Sequence, residues 1–146
     1  MMIKQLSVFI ENAEGILECV THALSKHNIN IVSFSLADAL EYGVLRMIVS
    51  DPELGRKVLK EEGLLAKLTD VIAVKIGQRP GTLHSVLKLF HDAGLQVKYM
   101  YTLSTTGENT SVIMQLSNLD AAITLLNSKG YEVCKESEAY TINDLN

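Results

Sequence analysis

The strongest constraint on the fold is an internal repeat. Gly15 and Leu17 are matched by Gly81 and Leu83, 66 residues later. The match continues on both sides of this turn. It pairs Val8 with Val74, Ile10 with Ile76, Asn28 with Gly94, Ile29 with Leu95 and, after one inserted residue, Met47 with Met114 and Gly63 with Gly130. A repeat of roughly 65 to 70 residues indicates a tandem duplication. We divide the chain into residues 1–69 and 70–146, and expect two units this small to pack together.

Hydropathy predicts the same order of elements in each copy: strand, helix, strand, strand, helix, strand. Residues 4–10 alternate apolar and polar side chains, as a half-buried strand does, and Asp51-Pro52-Glu53 is typical of a helix start. The first-copy elements are strand 4–10, helix 16–28, strands 29–36 and 44–49 joined at Glu41-Tyr42-Gly43, helix 51–63 and a short strand 64–68. The second-copy elements are strand 71–76, helix 83–93, strand 95–102, a tip at 105–109, strand 111–116, helix 120–129 and a short strand 131–135.

Two consecutive βαββαβ units predict an α+β protein. Each unit has the ferredoxin-like plan, in which helices cover one face of an antiparallel sheet. Residues 138–142 resemble residues 70–74, so we also expect a terminal strand that pairs with the sheet of the first copy.

The charge and the termini narrow the class of protein. The net charge of −4 and the pI near 5.5 argue against a nucleic-acid or acidic-membrane surface. The N-terminus enters a strand without a signal-peptide core, and no apolar run has membrane-spanning length, so the expected location is the cytoplasm. Cys19 and Cys134 lack the spacing of a metal site, which favours core packing or idle thiols.

Catalytic and metal-binding patterns are weak. His84 and His91 are two helix turns apart, which is too far for a shared metal, and no carboxylate completes a set with them. The serines lack a nucleophile elbow, and no glycine-rich loop ends in the lysine of a phosphate site. We therefore predict no enzymatic activity, no metal and no cofactor.

The functional signal is the turn Gln78-Arg79-Pro80-Gly81-Thr82-Leu83, between a predicted strand and a predicted helix. Pro80 presets the backbone, Gly81 permits the reversal, and the Thr82 hydroxyl is expected to cap the helix. Such a turn points free backbone N–H groups outward at the positive end of the helix, where a small carboxylate can bind. The alternative is a turn without a ligand.

These residues resemble a known family. Arg79-Pro80-Gly81-Thr82-Leu83 is similar to the Asp/Asn-Arg-Pro-Gly-x-Leu turn of ACT domains, which are small amino-acid-sensing modules of biosynthetic enzymes, and Gly94 follows at the usual spacing. The resemblance covers both copies, so the chain looks like a tandem ACT pair. The first copy has Ala13 and Glu14 in place of the arginine and proline, and Gln78 replaces the usual Asp or Asn.

The resemblance implies that the two units pack side by side through their second strands into a continuous antiparallel sheet, with helices on one face. It also implies a ligand site at this interface, near the glycine turns. The carboxylate of an amino acid would bind N–H groups of residues 15–17 or 81–83. Amide oxygens of Asn12 and Gln78 and carbonyls near residues 33–35 and 99–101 would accept from its ammonium. Its side chain would touch Phe34, Leu36, Met100 or Leu103, unless these residues are plain core. The implied site residues are Asn12, Gly15, Ile16, Leu17, Phe34, Ser35, Gln78, Arg79, Pro80, Gly81, Thr82, Leu83, Tyr99, Met100 and Tyr101.

Three functions remain open at this point. The first is a stand-alone sensor that binds a free amino acid and regulates a partner enzyme or its own assembly, with a homodimer as one arrangement. The second is a non-catalytic regulatory subunit with a degenerate pocket. The third is a ferredoxin-like enzyme or RNA-binding module, for which Tyr99 and Tyr101 on one strand are the only indication and which the acidic balance opposes. The sensor is the function that we predict.

Overall fold

The computed structural model describes residues 2–11, 14–38, 42–106 and 108–142. The chain folds as two compact units. One unit is Lys4–Thr69, here the first-copy unit, and the other is Asp70–Asn146 together with Met1–Ile3, here the second-copy unit.

The first-copy unit has one layer of sheet and one of helix. Its elements are β1 (Ile3–Glu11), α1 (Ile16–Lys26), β2 (Ile31–Asp38), β3 (Tyr42–Val49), α2 (Pro52–Glu61) and the start of β4 (Ala66–Gly77). β3 pairs antiparallel with both β1 and β2, and the N–H of Phe9 in β1 donates to the carbonyl of Leu65, just before β4, at 3.0 Å. Because side chains alternate along a strand, Leu6, Val8 and Ile10 share one face and pack with α1 and α2 residues in a common core.

The second-copy unit repeats this plan. Its elements are the rest of β4, α3 (Thr82–Asp92), β5 (Val97–Thr106), β6 (Asn109–Leu116), α4 (Leu119–Ser128), β7 (Glu132–Val133) and α5 (Glu136–Thr141). The strand order is β5-β6-β4-β7, and each neighbouring pair is antiparallel. Ile72, Val74 and Met114 are buried in one core with Val86 and Phe90 of α3. The predicted ferredoxin-like fold, with antiparallel strands and helices in the order βαββαβ, is confirmed.

The helix ends follow the local sequence. Asp51 and Asn118 occupy equivalent N-caps, where their side-chain oxygens accept from the N–H groups of Leu54 and Ala121, each at 3.1 Å. Pro52 is in the first turn of α2, as predicted. Asn28 has φ 58°, the left-handed conformation expected after α1.

Three predicted elements are wrong or shifted. Residues 136–141 form the helix α5, and no terminal strand is present among the described residues. Glu136 and Glu138 are in its first turn, where the helix dipole favours acids, and the Tyr140 hydroxyl donates to Glu136 one turn away. The predicted strands 64–68 and 71–76 are one strand, β4, because no glycine or proline interrupts residues 66–76. In the first-copy hairpin, Tyr42 and Gly43 belong to β3, and Glu41 lies outside the described residues.

Neither cysteine forms a disulfide. Cys19 is half-buried and Cys134 is buried, and burial raises the pKa of the Cys134 thiol, whose Sγ lies 3.7 Å from the Ser111 hydroxyl. Within the described ranges, no three histidine, cysteine or acidic side chains are grouped as a metal site would require. None of the helices in the described part of the chain is long and apolar enough to span a membrane.

Gly55 marks the closest approach of α2 to the rest of the first-copy unit. A Cβ at this position would lie 3.0 Å from Cδ2 of Leu6 and 3.6 Å from methyl groups of Leu24 and Val49. We expect Gly55→Val to lower the free energy of unfolding by about 1–3 kcal/mol, because the added methyls overpack the core. Urea denaturation measures this. Lys57→Val on the exposed face of α2 is the control and should cost no more than about 0.7 kcal/mol of helix propensity; equal losses would contradict the close packing.

The two N-caps give a matched pair of substitutions. Asp51→Ala and Asn118→Ala each remove one side-chain acceptor and leave a first-turn N–H without it, which should cost about 1 kcal/mol per unit. Denaturant unfolding of the single variants checks the value. Glu61→Ala, exposed at the last turn of α2, should change stability by less than about 0.5 kcal/mol. A cap variant as stable as this control would show that the capping bond contributes nothing.

Candidate functional site

The turn from β4 to α3 depends on the backbone of Gly81. This residue is the N-cap of α3 and has φ 89° and ψ −7°, the left-handed conformation that side chains with a Cβ disfavour. A Cβ built on Gly81 meets nothing within 4 Å, so the requirement for glycine is conformational and not one of space. Gly15 is the N-cap of α1 with φ 81° and ψ 5°. The two copies therefore use the same backbone at the same place.

Thr82 is not the helix cap that the sequence predicts. Because Gly81 takes the cap position, Thr82 is the first helical residue and its hydroxyl points back into the turn. The hydroxyl donates to the carbonyl oxygens of Gly77 and Arg79, the second at 3.0 Å. The N–H of Thr82 also donates to the Arg79 carbonyl, at 3.2 Å. Thr82 closes the turn, and its N–H is already used.

The free N–H donors at the start of α3 differ in one residue from the predicted set of 81–83. Within the part of the chain that the structure describes, the N–H groups of Gly81, Leu83 and His84 have no hydrogen-bond acceptor, whereas that of Ser85 donates to the Gly81 carbonyl at 3.0 Å. These three donors lie at the positive end of the helix dipole. The set of free donors thus contains His84 in place of the predicted Thr82.

A cavity of about 690 Å³ opens beside this turn, within the second-copy unit. Its size is typical of small-molecule pockets. One wall is the turn and first helical residues from Gly77 to His84, and the other walls come from β5 and β6. Of the predicted site residues, Gln78, Arg79, Pro80, Gly81, Thr82, Leu83, Met100 and Tyr101 are brought together here, whereas Tyr99 does not line the cavity.

The register of β5 with β6 decides which side chains face the cavity. Met100 pairs with Met114 and Thr102 with Val112, so these residues share the face that packs against the helices. Tyr99 and Tyr101 pair with Gln115 and Ile113 and lie on the opposite face. A register shift between Thr102 and Ser104 then brings Thr105 opposite Thr110, on the same face as Thr102.

The register shift between Thr102 and Ser104 shows where the residue inserted in the second copy lies. Residues up to Thr102 correspond to first-copy residues 66 positions earlier, and residues from Thr105 onward correspond to residues 67 positions earlier. The extra residue of the second copy therefore forms a β-bulge at Leu103 and Ser104. In β2 the register with β3 is unbroken from Ser33 to Asp38. The bulge belongs to the second copy alone.

Sequence reasoning missed three threonines in the cavity wall. The cavity is lined by three threonines, Thr102, Thr105 and Thr110, which we call the threonine cluster. His84 also lines the cavity and was not among the predicted site residues. The hydroxyl oxygen of Thr110 is buried, and it has no hydrogen-bond partner among the described residues. The residue inserted in the second copy was the sequence feature that could have indicated these threonines. The sequence alone, however, does not show where in the hairpin the insertion lies.

The charge at the cavity mouth is positive. The Arg79 guanidinium lies next to Gly77. A Cβ built on this glycine would be 3.8 Å from both Nε and Nη2 of Arg79. No described carboxylate lies within ion-pair distance of Arg79, and the described cavity lining contains no Asp or Glu side chain. The nearest acidic residue along the hairpin, Glu108, holds the turn through its backbone, since its carbonyl accepts from the Gln78 N–H at 2.6 Å.

The first-copy turn has the same backbone but different side chains. Asn12 and Ala13 lie outside the described residues, and Gly15, Ile16 and Leu17 begin α1. Phe34 pairs with Met47 on the helix-covered face and is 68% exposed, whereas Ser35 pairs with Arg46 on the other face. The positions equivalent to the threonine cluster and His84 are Leu36, Asp38, Gly43 and Glu18.

The chain is similar in fold to several proteins of known structure. Protein BT0572 from Bacteroides thetaiotaomicron has a crystal structure that superposes with a TM-score of 0.90, at 36% identity over 96% of each chain. The regulatory subunits of aspartate kinase from Thermus thermophilus, in a ligand-free form, and from Thermus flavus share the fold. Their TM-scores are 0.63 and 0.59, each at 17% identity over 86% of this chain and over 90% and 88% of theirs. No curated protein matches the chain.

Residues 1–142 match the family model described as an ACT domain pair. This match covers both repeats and both glycine turns. The chain belongs to the ACT domain pair family.

Proposed function

We propose that the protein is a regulatory sensor that binds a free amino acid in the cavity of the second-copy unit. The observation that carries the proposal is the meeting of three free helix N–H groups, a cationic side chain and a cavity of about 690 Å³ at one glycine turn. ACT domains are regulatory modules, and two structures of the same fold are described as regulatory subunits.

In this proposal the ligand's carboxylate binds the N–H groups of Gly81, Leu83 and His84. Hydrogen bonds from N–H groups to a charged oxygen are among the stronger ones in proteins. The ammonium group binds the amide oxygen of Gln78 or strand carbonyls near Tyr101, and the side chain points towards Met100 and the threonine cluster.

The ligand would then contact two elements of the second-copy unit. The turn and α3 provide one wall, the hairpin of β5 and β6 provides the other, and the Gln78 to Glu108 bond links them. A ligand that binds one arrangement of these walls more tightly stabilises that arrangement by the difference in affinity. A partner enzyme that distinguishes the two arrangements would be regulated by the same free energy.

A second function is favoured by an exposed apolar surface in the first-copy unit. Leu17 is 40% exposed, Leu36 52% and Phe34 68%. Exposed apolar groups of this size commonly mark contacts with another protein. The alternative is therefore a regulatory subunit that contacts its enzyme through the first-copy unit, without a ligand of its own.

A thermal-shift screen against the twenty amino acids separates the two functions. A ligand at 100 times its Kd adds about 2.7 kcal/mol, which raises the Tm of a domain this size by several degrees. A shift with one or a few amino acids supports the sensor. No shift with any of them, followed by no heat in calorimetry at millimolar concentration, would contradict the sensor and favour the subunit.

The two glycine turns offer a matched pair of variants for the binding site. Gly81→Val and Gly15→Val each force a branched residue into a left-handed backbone in open space, so both should lose about 1–2 kcal/mol of stability. Only Gly81→Val should raise the Kd of the amino acid, by about tenfold or more, because it displaces the N–H groups that hold the carboxylate. Calorimetric titration measures the Kd, and equal affinity in both variants would exclude the Gly81 turn as the site.

A further inference from the structure

We propose that the ligand of the second-copy cavity is an acidic amino acid, whose second carboxylate is bound by the threonine cluster. This inference rests on the proposed function and specifies the ligand of the same site. It draws on the side chains that line the cavity on the hairpin side, away from the helix N-terminus.

The β-bulge builds the polar wall of the cavity. In a regular strand, Thr102 and Thr105 would point to opposite faces, because they are three positions apart and successive side chains alternate. The register shift between Thr102 and Ser104 brings both onto the cavity face, where Thr105 pairs directly with Thr110. Three threonines are thus concentrated in the wall that faces the ligand's side chain.

The buried hydroxyl of Thr110 requires an acceptor. A hydroxyl group donates one hydrogen bond, and the described residues provide no partner for it. A carboxylate oxygen that reaches Thr110 supplies the acceptor, whereas an apolar side chain leaves the hydroxyl as it is in the free protein. Because this donor is unpaired among the described residues before a ligand enters, a ligand that supplies the acceptor gains about five- to a hundredfold in affinity over one that does not.

The charge of the cavity selects for an anion. Its described lining includes the Arg79 guanidinium and lacks an acidic side chain. An amino acid with an uncharged side chain has no net charge, so it gains little from this field, whereas an acidic amino acid has a net charge of about −1 at neutral pH. Arg79 is exposed, so its attraction weakens with salt, and the affinity for the acidic ligand should fall as ionic strength rises.

The first-copy unit has the opposite chemistry at the equivalent positions. Leu36 and Gly43 replace Thr102 and Thr110, and Asp38 and Glu18 replace Thr105 and His84. The carboxylates of Asp38 and Glu18 would repel an acidic side chain, and Leu36 would provide it with no hydrogen bond. The chain should therefore bind one acidic amino acid and not two.

Isothermal titration of the full chain with L-glutamate, L-aspartate, L-glutamine, L-asparagine and L-leucine tests this inference. Each amide is nearly isosteric with its acid, so the comparison isolates the charge. We expect one acid to bind at least about tenfold more tightly than its amide and than leucine, with one site per chain.

Thr110→Val tests the position of the second carboxylate, because valine keeps the shape of threonine and removes the hydroxyl. We expect the affinity for the acid to fall about tenfold and that for leucine to stay the same or rise. Thr124→Val, an exposed position on α4 in the same unit, is the matched control and should leave both unchanged. A melting curve shows that each variant is folded.

Two results would overturn the inference. If leucine or an amide binds as tightly as the acids, the cavity does not select a second carboxylate, although the amino-acid sensor remains. If the acid binds and Thr110→Val keeps its full affinity, the threonine cluster does not hold the carboxylate. Binding of no amino acid at all would remove both the inference and the proposed function.

Discussion

The left-handed backbone at Gly81 is the constraint on which the candidate site depends. This residue ends the turn between β4 and α3, and the helix that follows packs its apolar face on the sheet while its first residues line the cavity. The left-handed glycine also takes the cap position from Thr82, whose hydroxyl instead ties the turn to Gly77 and Arg79. The donors are therefore held by covalent geometry and short local bonds before any ligand arrives.

Comparison of the two turns separates what the fold requires from what binding requires. Gly15 has nearly the same φ and ψ as Gly81, and each begins a helix that packs on its own antiparallel sheet. The fold therefore needs the glycine in both copies. The arginine, the histidine and the threonines occur in the second copy only, and the first copy has carboxylates and exposed apolar groups at the equivalent positions. Duplication of one scaffold has produced two surfaces with different chemistry.

The sequence predicts those features that depend on local period and backbone. Alternation along β1 and the cap at Asp51 specify their elements directly, and the repeat supplies the second half of the fold. Helix α5 was predicted as a strand because residues 138–142 match the alternation of residues 70–74, whereas the first-turn acids and the Tyr140 to Glu136 bond favour a helix. The threonine cluster could not be predicted, because membership depends on a cross-strand register that one inserted residue changes, and a shift of one residue reverses every side chain.

The departures from regular structure in the second copy are concentrated at the cavity. Both copies have a register shift at the start of their second strand, between Ile31 and Ser33 and between Val97 and Tyr99, so that irregularity belongs to the shared scaffold. The bulge after Thr102 has no first-copy counterpart. Just beyond it, Thr105 pairs with Thr110, whose buried hydroxyl has no partner in the described part of the chain. A bulge disrupts the strand ladder and an unpaired hydroxyl costs free energy, so neither contributes to folding. Such local costs are expected at functional sites. That both occur on one wall of the cavity, opposite free helix donors, is the physical argument for ligand binding in the second copy.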